Sequence, residues 1–397
     1  MEAFVISPLE VLDESVEVVE RKGLGHPDTI CDALAETLSR NLCREYRQRF
    51  GTILHHNVDK ALLAGGQAEP AYGGGRVLVP ISIYLAGQAT AHVGKDAVPI
   101  TEIATEGSRR WLRANLHALD AERHVRIHSL IRAGSSDLQA LFSRGSKSKT
   151  PLANDTSIGV GYAPMSPLEQ LVLSVEKRIN GRNRGEHSAW GEDVKVMGVR
   201  NGNAVHLTIA CAMIGRHLSH LDDYLAEKTA VKELVEALVE QHGFSSSEAV
   251  INSADDPSTG VIYLTVTGTS AECGDDGQVG RGNRINGVIT PGRPMSLEAA
   301  AGKNPVTHVG KIYNVLAREI SQTLAKEISE VAAAQCLLVS RIGAPVTSPG
   351  LIHLKLRTRD GLPVGQLRRR AEEIATDCLS RIPKFIDEFV DGTIEVF

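Results

Sequence analysis

Residues 267–284, TGTSAECGDDGQVGRGNR, gather more unusual chemistry than any other stretch of this length in the 397-residue chain. Gly268, Gly274, Gly277, Gly280 and Gly282 let the backbone turn its N–H groups toward a close anion. Arg281 and Arg284 add rigid forks of positive charge, and the adjacent Asp275 and Asp276 are oxygen donors suited to a hard cation such as Mg²⁺. Together they read as a polyphosphate cradle, the alternative being a surface loop whose charges neutralise one another. The preceding VIYLTVT favours the cradle: Ile262, Leu264 and Val266 alternate with Tyr263, Thr265 and Thr267, the period of a half-buried strand. A turn leaving such a strand is held in place.

The chain is too long for one ordinary core, so two or three domains are expected. With 42% hydrophobic and 23% charged residues it has a globular composition. No apolar run approaches the roughly 18 residues of a membrane span, and MEAFVISPLEVLDESVEVVE is acidic, without a basic flank or cleavage site. The expected location is cytoplasmic, with no membrane partner. The six cysteines form no CxxC pair, which argues against a disulfide framework or zinc knuckle and for reduced, mostly buried thiols. A net charge of -5 gives no global attraction to nucleic acid, so phosphate binding has to come from local basic groups acting on a small ligand.

Outward from the cradle, an acidic strand over residues 16–20 is followed by a helix that begins near Pro27, repeats Ile30, Leu34, Leu38 and Leu42, and ends at Gly51. The turn before it aims His26 and Asp28 at a helix N-terminus, which favours anions; a helix cap at Asp28 and a turn residue at His26 are the plainer alternatives. His55, His56, Asn57, Asp59 and Lys60 precede an apolar run; without a third ligand at suitable spacing the histidines do not make a zinc site, and the group reads as substrate-facing residues at a strand start. Further strands are expected at RVLVPISIYLAG, VRIHSLI, WGEDVKVMGV and AVHLTIACAMI, and helices over residues 101–116, 166–179 (opened by a Ser166–Glu169 capping box), 222–242 and 366–382. The tail also predicts strands at 352–356 and 393–396. Alternation of strands and helices implies a mixed α/β or α+β architecture. Residues 143–163, poor in bulky side chains, read as a lid or a connector. Lys303, His308 and Lys311 gather at the start of another long helix, where lysines oppose the dipole unless an anion lies between them. GxxxxGK[ST], GxGxxG, HExxH, GxSxG and the kinase set are all absent, so phosphate chemistry has to use another scaffold.

Six separated segments agree on one family: GHPD (residues 25–28), HHNVDK (55–60), PLANDTSIGVGYAP (151–164), GEDVKVMG (191–198), TGTSAECGDDGQVGRGNRINGVITP (267–291) and GKNPVTHVGKIY (302–313). In order and spacing the chain resembles the archaeal-type S-adenosylmethionine synthetases (methionine adenosyltransferases). The resemblance implies condensation of ATP with L-methionine, with the triphosphate split to diphosphate and phosphate; a metal-dependent nucleotide or polyphosphate hydrolase is the alternative.

By likeness His26 contacts the leaving oxygen. Asp28 and Asp275 hold Mg²⁺, two ions per site, and Lys195, Arg281, Lys303 and Lys311 neutralise the polyphosphate. Glu20, Asp155 and Asp193 match acidic positions tied to potassium, methionine or nucleoside binding. Asn57, Asp59, Lys60, Asn154 and His308 join the substrate-binding set, and Gly134, Ser135, Ser136 and Asp137 lie where the nucleoside is held.

The implied α+β fold is three similar α/β-sandwich domains around a pseudo-threefold axis, built from residues 1–20 with 163–268, 21–133 with 269–308, and 134–162 with 309–397. A gating loop spans 143–156, and a homodimer carries active sites between subunits. The bacterial and eukaryotic branch follows its arginine with a lysine; here Gly282 and Asn283 follow Arg281, and His308 or Lys311 would have to substitute. Asp275→Asn or Lys303→Ala is expected to reduce turnover far more than stability.

Overall fold

Helix starts fall where the side chains specify them. In the computed structural model, which describes residues 4–10, 15–134, 151–181 and 187–397, the helix Pro27–Phe50 begins with the His26 side chain accepting the Asp28 N–H, and Gly51 closes it in the left-handed region at φ 73°. Pro167–Ile179 opens with the reciprocal Ser166–Glu169 capping box. Val309–Glu327 buries Ile312, Leu316 and Ile320 along one face.

Each helix covers one of three four-stranded sheets that share a single topology. The first runs Val16–Lys22, Trp190–Asn201, Ala204–Ile214, Ser246–Ile251, with Leu264–Thr265 appended to Ala204–Ile214. The second runs Gly277–Gln278, His56–Ala64, Ile81–Ala89, Val125–Arg132. The third runs Ile158–Ala163, Val331–Val339, Leu351–Thr358, Phe4–Pro8. In every sheet the first two junctions are antiparallel and the last is parallel. A parallel junction needs a crossover. Leu221–Gln241 and Ile100–Asn115 supply it in the first two units, whereas the third takes its last strand from the chain start. Three large cores result, centred on Leu171, Val196 and Ile209, on Leu34, Leu38 and Ile83, and on Leu316, Cys336 and Leu354, with a small fourth cluster of Cys43, Ile53 and Val390. The repeat lies in topology, not in residue identity, which is why the sequence conceals it.

Several local expectations need correction. VIYLTVT is not a full strand: Leu264–Thr265 pairs with Ala204–Ile214 and Val261 bridges Asp256, while the Glu272 carboxylate takes the N–H groups of Val266 and Thr267 at 2.7 and 2.6 Å. Residues 393–396 form no strand, since the N–H groups of Thr393 and Ile394 cap the preceding helix at Glu388 O. The tail helix is two, Arg368–Ser380 and Ile382–Asp391, the second with Pro383 in its first turn. Phe4–Pro8, assigned by sequence to the unit of residues 163–268, pairs instead with Leu351–Thr358, where Arg368 lies over the Phe4 ring. Cys273 is exposed, the other five cysteines are buried, and none forms a disulfide among the described residues. Among the described residues no helix is long and apolar enough to cross a membrane.

Candidate active site

The turn 23–26 and the cradle 267–284 are stitched together by named bonds. Thr269 Oγ1 donates to Gly25 O at 2.6 Å, and Gln278 N donates to Asp28 Oδ1 at 2.9 Å. Gly25 is required by close approach: a Cβ there would collide with the backbone of Glu192 and Asp193. This contact sets Asp193 beside His26.

His26 Nδ1 accepts the Asp28 N–H at 3.2 Å, which leaves the ring proton on Nε2. Burial lowers its pKa, against the opposing pull of Asp193. The ring is therefore neutral at pH 7 and presents an Nε2–H donor. Asp28 is buried, with Lys22 Nζ 2.9 Å from Oδ2. Asp193 Oδ2 accepts Ser270 N at 2.8 Å and Ser270 Oγ at 2.6 Å, while the same hydroxyl lies 2.9 Å from Asp275 Oδ2. One hydroxyl proton cannot serve both carboxylates at once. Burial, with Asp275 adding to it and His26 opposing, raises the Asp193 pKa. Lys195 Nζ stands 3.2 Å from Glu20 Oε1 on the neighbouring strand. The Arg281 side chain is exposed and makes no hydrogen bond or ion pair among the described residues. Asp276 and Arg284, in contrast, hold the loop in place: Asp276 accepts Gly65 N just past the strand His56–Ala64, and Arg284 donates to Gly282 O within the loop, each at 2.9 Å.

A second group forms where Asn57 bridges Lys303 on an adjoining segment. Lys303 is buried, with Nζ 2.6 Å from Asp59 Oδ2 and 3.1 Å from Glu298 Oε2. The exposed Lys60 reaches Asp59 Oδ1 at 2.6 Å. Burial works to raise the Asp59 pKa, but the ammonium of Lys303, aided by Lys60, brings it below the usual carboxylate value. Asn57 Oδ1 and Asn154 Oδ1 are buried without partners among the described residues, and Asn154 N bonds Thr307 O at 3.1 Å. A Cβ on Gly134 would lie 3.0 Å from the His55 ring and 3.3 Å from Gln88 Oε1, which places Gly134 at the same end of the second sheet. Ser135, Ser136, Asp137 and most of the gating loop lie outside the described residues. Asp155 accepts its neighbour Thr156 N and joins neither group. No hydrogen bond or ion pair among the described residues links the two groups.

Two expected cations are not free. His308 caps the helix Val309–Glu327 by accepting Gly310 N, and burial, then Lys303, lowers its pKa to about 3, leaving it uncharged. Lys311 is 1% exposed, bonded to both Glu36 oxygens at 2.9 and 2.7 Å, and 5.3 Å from the Phe389 ring centroid.

Three residues escaped the sequence reading: Lys22, Ser270 and Asp32. The last was findable, since i and i+4 share a helix face and Asp32 follows Asp28 by four. Asp32 Oδ1 accepts Gly280 N at 2.9 Å, Oδ2 is buried without a partner among the described residues, and burial raises its pKa to about 7. An unfolded aspartate ionises near 3.9. The folded state therefore holds an extra proton in between, and the stability this gives is lost as pH rises from about 4 to about 7. Asp32→Asn should gain on wild type by about 1.4 kcal/mol per pH unit across that window. Urea unfolding at pH 5 and pH 7 checks this; a difference independent of pH contradicts it.

The family model for S-adenosylmethionine synthetase (AdoMet synthetase) matches residues 4–393. The chain is 49% identical over 396 residues to a probable S-adenosylmethionine synthase of Aquifex aeolicus, covering 98% of each chain. It is 46% identical over 398 residues to the S-adenosylmethionine synthase of Pyrococcus furiosus, covering 100% of this chain and 98% of the relative. A solved structure described as an unusual S-adenosylmethionine synthetase from Campylobacter jejuni shares the fold at a TM-score of 0.61 and 13% identity, covering 96% of this chain and 93% of that one. The chain belongs to the S-adenosylmethionine synthetase family.

Proposed function

We propose that the two polar groups bind ATP and L-methionine and join them as S-adenosyl-L-methionine, with the first group at the triphosphate. The methionine sulfur attacks C5′, the C5′–O5′ bond breaks, and triphosphate leaves with the bonding electrons; water then splits it to diphosphate and phosphate. A thioether has no proton to lose, so the first step asks for alignment and for stabilisation of the leaving group. The observation that carries this reading is the neutral His26, whose Nε2–H can donate to the departing oxygen while Lys195 and the free Arg281 guanidinium meet the phosphates.

The donor set suits Mg²⁺. That ion prefers oxygen and is usually held by one or two carboxylates plus substrate phosphates, in keeping with the lack of any larger ligand cluster among the described residues. The Asp193–Ser270–Asp275 chain, one proton short, favours a cation beside it. Asp28 and Asp275 would hold magnesium, which when bound draws charge from the phosphates. Glu20 and Asp155 remain the candidates for potassium, methionine or nucleoside contacts. The deciding experiment measures phosphate release from ATP with and without methionine. Release that needs methionine supports the synthetase; rapid release that ignores it supports the hydrolase alternative, which no relative described above suggests by name.

An uncovered apolar face supports a homodimer. Leu62 and Leu130 on the second sheet are each 47% exposed, and Val16 and Val18 on the first are exposed as well. A groove of about 370 Å³ on the second sheet is lined by Leu62 and Leu130 together with Asp59, Lys60 and Gln278. A second copy covering this face would bring the separated groups together across the interface. Leu130→Arg should convert a dimer to a monomer in light scattering and lower turnover by about a hundredfold or more, since the substitution would put an unpaired charge in the apolar face. A dimeric, fully active variant contradicts this placement.

A further inference from the structure

Lys22 resolves where the positive charge at the Arg281 end of the site comes from. Position 282, which carries lysine in the bacterial and eukaryotic branch, brings no cation here, and a Cβ on Gly282 would lie 2.5 Å from Oδ2 of the buried Asp32, so a side chain there would displace that carboxylate. The next residue, Asn283, is 3% exposed and clamps both backbone groups of Lys22, accepting its N–H at 3.0 Å and donating to its carbonyl at 2.8 Å. The Lys22 ammonium then reaches back to the same loop, 2.8 Å from Arg281 O and 2.9 Å from Asp28 Oδ2. Its side chain is 13% exposed, so the long stem is already ordered and the charge is already placed.

Two further observations point to an anion there. Lys22 and Lys195 are direct partners on adjacent antiparallel strands, which sets two like charges side by side. Each has one carboxylate, Asp28 or Glu20. An ammonium has three N–H donors, and Lys22 uses two.

We propose that Lys22 is a phosphate-binding residue of this site, its third N–H donating to the triphosphate beside Arg281 and supplying the cation that Gly282 cannot. This rests on the synthetase reading of the site, yet its test is independent of turnover. Inorganic triphosphate is titrated calorimetrically into wild-type protein, Lys22→Met and Lys22→Arg, once in Mg²⁺ and once in EDTA, with melting temperatures recorded. The expected result is affinity weakened roughly ten- to a hundredfold in Lys22→Met in both buffers, the range of one charge-assisted hydrogen bond, with a shallower salt dependence. Lys22→Arg, which keeps the charge, recovers at least part of the loss. A loss confined to the Mg²⁺ titration would mean that Lys22 only organises Asp28, and overturns the proposal, as does unchanged affinity in both buffers. Failure of the wild type to form S-adenosylmethionine would count against the synthetase reading and leave the triphosphate result to stand alone.

Discussion

Asp275→Asn is expected to lower kcat by a factor of about a hundred to a thousand while leaving the melting temperature within about a degree of wild type. Asp275 is exposed and among the described residues its one side-chain bond is to Ser270 Oγ, so little folding energy depends on its charge. Its proposed work is to hold magnesium against the phosphates, and electrostatic stabilisation of that kind is worth several kcal/mol at the transition state. The substitution also removes the second carboxylate competing for the Ser270 proton, which further limits any cost to the fold. Steady-state kinetics at saturating Mg²⁺ beside a thermal melt gives both numbers. Wild-type turnover would remove Asp275 from the site, and a large drop in melting temperature would make it a structural residue.

Lys303→Ala is expected to fail on both counts, which revises what the sequence alone suggests. Lys303 is 3% exposed and pairs with Asp59 and Glu298, so its removal leaves Asp59 buried beside only the exposed Lys60. Breaking a buried pair costs about 3–5 kcal/mol, and the surviving Lys60 contact puts the loss toward the lower end. Loss of the ammonium from the substrate should also cut kcat/KM by about a hundredfold or more. The double variant Lys303→Met with Asp59→Asn separates the two effects. It should restore most of the stability, measured by urea unfolding, and none of the activity. Recovery of activity along with stability would show that Lys303 serves folding alone.

The legible parts of this chain were those where side chain and backbone agree locally. The Ser166–Glu169 capping box, Pro27 with the Ile30–Leu42 periodicity, and the close-set glycines of the cradle each carry their physics in adjacent residues. Tyr263 illustrates the opposite case. Its stretch alternates like a strand, but Glu272, several residues on, takes the N–H groups that a strand partner would need. Lys311 and His308 looked like free cations at a helix start, and only the arrival of Glu36 from another helix and the depth of burial neutralise them. Lys22 was passed over for the converse reason: its partners, Asp28, Arg281 and Asn283, come partly from more than 250 residues away. Charge assignments of this kind depend on long-range packing, and the threefold repetition depends on strand order; neither leaves a periodic trace in sequence.

If the two polar groups meet across a dimer interface as proposed, the assembled protein joins ATP and methionine through sulfur. The most direct test is mass spectrometry of the products formed by the purified protein from ATP, Mg²⁺ and L-methionine. The predicted result is S-adenosylmethionine in equal amount to phosphate and diphosphate, with none formed when methionine is omitted. Phosphate released without methionine, and no sulfonium product in its presence, would contradict the account.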